Sequence, residues 1–190
     1  GSDAMPKIDE NTAISEPGTY YVYAKTGETK NYEEERSTTA ELTVNEAVVE
    51  AASVTKKDGT DGGTYESLPA ALNAAQNGDT VTLLSDVDLG ETYVTISKSI
   101  TFDLNGKTLS SSKTWSSDGV LLVKNATVTV KNGTVKATGI GSCAIRAYRS
   151  GASMTLEAVT ATVTSNKSSV MVGDFGSAVI KSGDYQGLYV

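Results

Sequence analysis

Histidine is absent from this 190-residue chain, so the side chains that remain for chemistry are carboxylates, one thiol and a few cations. Without an imidazole there is no Ser-His-Asp or Cys-His arrangement, and the one thiol, Cys143, leaves no usual zinc set. Glycoside hydrolysis needs only two carboxylates at a defined separation. The outward-facing candidates are Asp103, Glu157, Asp174 and Asp184. Asp103 and Glu157 share a register two repeats apart, so roughly 10 Å at a strand spacing of about 4.8 Å, which is marginal for an inverting pair. The residue expected between them is Thr129, which adds no third group. No catalytic residue is assigned, and the chain is expected not to be an enzyme.

Binding chemistry is better represented. Trp115, the only tryptophan, lies in the polar insertion from Ser110 to Gly119. An exposed indole there would stack on a sugar face while its N–H still donates, and the alternative is a ring that folds over and shields the protein. Arg146 falls between inward Ile145 and Ala147 and so points out, with Tyr148 and Arg149 following at a corner. With Met171 one repeat later they form a candidate ligand-binding patch, whose plainer reading is a solvated face. The loops Asp58 to Gly63 and Asp86 to Asp88 carry oxygen ligands of the kind calcium takes, but neither has EF-hand spacing, and solvated turns explain them better. No cofactor is expected.

These residues sit on a repeat. Pairs of apolar residues separated by one polar residue return every 24 to 27 positions. The first pair runs Val94/Ile96, Leu121/Val123, Ile145/Ala147 and Val170/Val172. The second runs Phe102/Leu104, Val128/Val130, Met154/Leu156 and Ala178/Ile180, and a third holds Leu109, Val135/Ala137, Ala161/Val163 and Tyr185. Spacing of two places alternate side chains on one face of a strand, so each pair reads as a short strand with one buried side. A copy this small cannot bury its apolar face alone, and the copies must stack as coils with parallel strand pairing. The result is a single-stranded parallel β-helix with three strands per coil. A leucine-rich repeat has a similar period but needs Leu where Val, Ile, Ala and Thr stand here. Corners are expected at Asn105-Gly106, Asn132-Gly133, Ser150-Gly151 and Ser182-Gly183.

A stack of coils needs a cap over its first rung. Residues 67 to 76 provide one as a short helix, with Ser67 as N-cap, Pro69 in the first turn, and Leu68, Leu72 and Ala75 on one face. The run from Gly63 to Val87, GTYESLPAALNAAQNGDTVTLLSDV, followed by Ile100 to Leu109, ITFDLNGKTL, resembles the cap helix and opening coils of pectate-lyase-like, right-handed β-helix modules of bacterial cell-surface proteins. The resemblance spans roughly Val48 to Val190. It implies right-handed coiling and an extracellular module, often within adhesins and less often within polysaccharide-active enzymes. Against those enzymes, the chain lacks a recognisable cluster of calcium-binding Asp residues with a catalytic Arg or Lys.

Residues 1 to 47 differ. Gly1 to Met5 reads as a cloning remnant. A strongly alternating strand at Thr19 to Lys25 and a second at Thr38 to Val44 flank a charged stretch. The form Gly18-Thr-Tyr-Tyr-Val-Tyr-Ala-Lys25, then Asn31-Tyr32, resembles the last two strands of a bacterial immunoglobulin-like repeat. A further strand, Val48 to Thr55, and the acidic loop Lys56 to Gly63 then lead into the cap. No stretch has the apolar length of a membrane span, and a net charge of −7 with three arginines argues against nucleic acid. The expected partner is a host or bacterial glycan or surface protein, and the expected location is secreted or on a Gram-positive-type cell surface. Leu188 to Val190 starts another inward pair, so further coils or end-to-end association of two copies is expected.

Overall fold

The computed structural model describes residues 16–22, 40–45, 48–114, 118–149, 151–164 and 167–190. The chain divides into two compact units, Gly1–Val48 and Val49–Val190. In the first, β1 (Gly18–Val22) and β2 (Ala40–Val44) pair antiparallel from Gly18 opposite Val44 to Val22 opposite Ala40. The hydroxyl of Tyr20 donates to the Glu16 carbonyl at 2.7 Å. Asn31 and Tyr32 lie outside the described residues.

The second unit opens with its cap. β3 (Ala52–Thr55) and β4 (Asp61–Tyr65) form an antiparallel hairpin, followed by α1 (Leu68–Ala74) and β5 (Thr80–Leu83). β3 also pairs antiparallel with β5, so the hairpin closes the first edge of the largest sheet. The segment expected to be an acidic loop is therefore partly a strand. Gly62 permits it, since a Cβ there would stand 2.9 Å from the Val54 carbonyl oxygen. Ser67 caps the helix through the Ala70 N–H, and Leu68, Ala71 and Ala75 are fully buried while Leu72 is half-buried. Buried Asp79 ties the pieces together. Its carboxylate accepts from the backbone N–H of Gln76 at 2.8 Å, from that of Lys57 at 3.0 Å, and from Lys56 Nζ at 3.3 Å. Lys98 Nζ donates to the carbonyls of Leu72 and Asn73, where the helix leaves acceptors unpaired.

The coils follow as β6 (Val87–Asp88), β7 (Val94–Ile96), β8 (Thr101–Asp103), β9 (Thr108–Ser111), β10 (Leu121–Lys124), β11 (Thr127–Ala137), β12 (Ile145–Tyr148), β13 (Ser153–Val163), β14 (Val170–Gly173), β15 (Ser177–Ile180), β16 (Gly183–Tyr185) and β17 (Leu188–Tyr189). All pairings among them are parallel, and the fold is an all-β parallel solenoid of about four turns. The second and third strands of the middle coils run together as single 11-residue strands, β11 and β13. One sheet stacks β7, β10, β12, β14 and β17. Its inward columns are Val94–Leu121–Ile145–Val170 and Ile96–Val123–Ala147–Val172, the pairs expected from the repeat. The third column is also as expected, Leu109–Val135–Ala161–Tyr185, and it extends back to Val87.

The second column differs. Val130 stacks on Phe102, not Leu104, and continues to Leu156 and Ile180 in one direction and Val81 in the other. The cause is a longer corner in the first full coil. Four residues, Leu104 to Lys107, separate β8 from β9, while only Asn132 and Gly133 occupy that corner in β11. An even difference preserves which side chains face inward and shifts which ones touch. Val81, Phe102, Val130 and Leu156 are each fully buried, a burial worth roughly 1.5–3 kcal/mol per side chain. Asn105, Gly106, Asn132, Gly151 and Gly183 adopt positive φ as their corners require, but Gly133 lies within a strand without it. Ser150 lies outside the described residues. At the final rung Val179, Leu188 and Tyr189 are exposed. Among the described residues no helix is long and apolar enough to cross a membrane.

Candidate functional site

The outer face of β12 and the corner that follows it gather three of the four sequence-expected binding residues. Strand alternation sends Ile145 and Ala147 inward, both fully buried, and turns Arg146 and Tyr148 out. The Arg146 guanidinium lies 4.2 Å from the centre of the Tyr148 ring, a cation–π distance. Its Nη1 is 3.7 Å from Asp118 Oδ1. Arg149 approaches the same ring at 5.3 Å and is exposed. Met171 and Gly173 stand one rung on, beside Arg146 and Tyr148, while Leu122 and Lys124 stand one rung before. Trp115 lies outside the described residues.

Two members of this patch were not anticipated. Asp118 belongs to the polar insertion before β10, and its proximity to Arg146 arises because Leu121 stacks on Ile145. The interval of 24 residues between those two strands was the available signal. Lys124 follows from the same register, opposite Tyr148. Cys143 is buried beneath this face, and burial pushes its thiol up to about 11. A Cβ at Gly119 would come within 3.0 Å of its Sγ, so the thiol is packed closely.

The carboxylates considered for catalysis sit in a different setting. The residue between Asp103 and Glu157 is Lys131, not Thr129, because of the shifted second column. Lys131 Nζ is 3.1 Å from Asp103 Oδ2, and Lys181 Nζ is 3.6 Å from Glu157 Oε2. Asp103 also accepts from the Asn105 N–H at 2.9 Å and from Asn132 Nδ2 at 3.2 Å. The outward column thus alternates Asp103, Lys131, Glu157, Lys181.

The carboxylates of the acidic loops hold backbone N–H groups of their own turns or of the adjacent coil. Asp58 accepts from the Thr60 hydroxyl at 2.7 Å and the Thr60 N–H at 3.0 Å, and the hydroxyl bond holds the Asp58 carboxyl below its usual range. Asp61 accepts from the Gly63 N–H, Asp86 from that of Thr108, and Asp88 from that of Gly90. Among the described residues no three His, Cys, Asp or Glu side chains converge in a metal-binding group. No family model, curated protein or solved structure matches this chain.

Proposed function

We propose that the chain is a non-catalytic module of a bacterial surface protein that binds glycan through the outer face of the β7–β10–β12–β14 sheet. In this reading the solenoid is a pectate-lyase-like β-helix module, and the β1–β2 hairpin is the end of an immunoglobulin-like repeat. The observation that carries the proposal is the cluster of Arg146 and Tyr148 on the outer face of one strand with Arg149 at its corner. Tyrosine supplies planar, amphipathic contact area at low entropy cost and arginine a planar hydrogen-bonding fork, which together suit a sugar ring with its apolar and hydroxyl faces. Stacked parallel strands keep such groups in place before a ligand arrives, so little ordering remains to oppose binding.

The test is a glycan array with the intact chain. Binding that falls on Tyr148→Ala and on Trp115→Ala, without turnover of the bound glycans, is the expected result. A flat array would favour a second reading, a structural spacer. That reading is supported by the Asp103–Lys131–Glu157–Lys181 column, whose charges alternate and leave each other largely compensated.

A further inference from the structure

The corner after β12 carries a residue that the backbone alone would not select. Asn125, Arg149 and Asp174 follow residues stacked in register, Lys124, Tyr148 and Gly173, and all three are left-handed, with φ of 53°, 75° and 50°. Asn and Asp are ordinary occupants of that conformation, because their short polar side chains bond locally. Arginine has no such compensation. Arg149 is exposed, and none of the ion pairs among the described residues includes it.

The surroundings make this cation part of a group. Arg146 is held at 4.2 Å over Tyr148 and anchored at 3.7 Å to Asp118, while Arg149 lies 5.3 Å from the same ring. Lys124 stands beside Tyr148 on the preceding rung. Two of the three arginines of a chain with net charge −7 therefore share one aromatic ring. Asp118 and Asp174 are the nearby acids placed by the same rungs, so three cations face two carboxylates. On an acidic molecule this is a local reversal of sign.

Resting on the glycan reading above, we propose that Arg149 and Arg146 form a subsite for an oxyanion substituent of an acidic glycan, with Arg149 as the ligand-contacting cation. A guanidinium fork matches the paired oxygens of a carboxylate or a sulfate, and both groups have the same requirement here. Both guanidinium groups lie against the Tyr148 ring, at 4.2 and 5.3 Å from its centre, so one aromatic side chain links the two cations. Asp118 restrains Arg146 and limits its reorganisation when the anion binds.

The experiment measures retention of the intact chain on immobilised heparin, polygalacturonate and neutral dextran at about 50 mM salt, where screening is weak. The wild type is expected to bind the acidic polymers and not dextran, and to be released as salt rises. Retention on heparin but not on polygalacturonate identifies sulfate, and retention on polygalacturonate identifies carboxylate, which the uronates of heparin also supply. Arg149→Asn should weaken acidic binding by about tenfold or more, as expected for losing one charge-assisted contact. The same variant should melt no lower than the wild type, because Asn suits the left-handed corner. Unchanged retention of Arg149→Asn, or equal wild-type retention on dextran, overturns the subsite while leaving glycan binding standing. No retention on any of these polymers, together with a flat array, overturns both.

Discussion

Lys131 stands one rung above Asp103 with its Nζ 3.1 Å from Asp103 Oδ2. The pair is partly exposed, and such ion pairs contribute under about 1 kcal/mol. Asp103 does more than face Lys131, since it also accepts from the Asn105 backbone and the Asn132 side chain across adjacent corners. Asp103→Ala should therefore cost about 1–2 kcal/mol and Lys131→Ala less than about 1 kcal/mol. Urea unfolding of both single variants and the double variant separates the two contributions. Equal losses in the single variants would show that the charge column, not the corner, is what Asp103 supports.

The longer corner of the first full coil leaves its mark on Gly133. A Cβ at that position would overlap the Leu104 side chain and lie 2.6 Å from the Lys107 carbonyl oxygen. The two additional residues of that corner press against the next coil at a residue with no side chain. Gly133→Ala should destabilise by about 1–3 kcal/mol, the usual cost of overpacking. Gly106→Ala meets no neighbour within 4 Å, and its cost should come only from its φ of 74°. Comparing the urea midpoints of the two variants with the wild type checks this, and Gly133→Ala should show the larger shift.

That corner also explains what could be read from the sequence. Spacing of two identifies inward residues wherever β-branched pairs recur, so the first and third columns are legible to the residue, as with Ile145 on Leu121 and Ala161 on Val135. Parity survives a two-residue insertion, so Phe102 and Leu104 are both correctly inward and fully buried. Which of them touches Val130 depends on corner length, which apolar spacing does not encode. Asp103 thus acquires Lys131 as its neighbour in place of the expected Thr129. β4 was hidden for another reason: Asp61, Gly62 and Gly63 have poor strand propensity, and only the edge offered by β3 makes them one. In the binding patch, Arg146 and Tyr148 follow from alternation. Asp118 lies three residues before Leu121, so the 24-residue register with Ile145 brings its rung beside Arg146, but its side-chain direction within the insertion has no alternation to show it.

Asp79 should make stability depend on acid. Backbone N–H groups, that of Gln76 foremost, hold its carboxyl below its usual value, with Lys57 N–H and Lys56 Nζ adding to the effect against the opposing cost of burial. A carboxyl with a lowered folded-state pKa binds its proton more readily when unfolded. Its contribution is complete above the unfolded value of about 3.9 and is lost as pH falls through the folded value. Asp79→Asn should be less stable than the wild type at pH 7, and the gap should narrow below about pH 3.9. Chemical unfolding at pH 7, 5, 4 and 3 tests this. A gap that stays constant across the series would mean that the ionised state of Asp79 contributes nothing to holding the cap.

Ala158 occupies the corner position that Asn132 fills one coil earlier, bracketed by the pairs Lys131 with Glu157 and Gly133 with Val159. Both residues are left-handed, with φ of 59° for Asn132 and 52° for Ala158. Alanine has a Cβ that crowds its own carbonyl in this conformation and no polar atom to offset the strain, a cost of roughly 1–2 kcal/mol. Its N–H is engaged by Ser182 Oγ at 2.9 Å, so the corner is held from the following rung. Ala158→Gly should remove the strain but enlarge the freedom of the unfolded chain, for a net gain of about 0.5–1 kcal/mol. Ala158→Asn keeps a side chain and should gain as much without the entropy loss. Thermal melting of both variants beside Ser182→Ala tests the balance. If Ala158→Asn melts below the wild type, the left-handed backbone holds no strain that a polar side chain relieves, whereas Ser182→Ala, which removes the partner of the Ala158 N–H, should lose stability in either case.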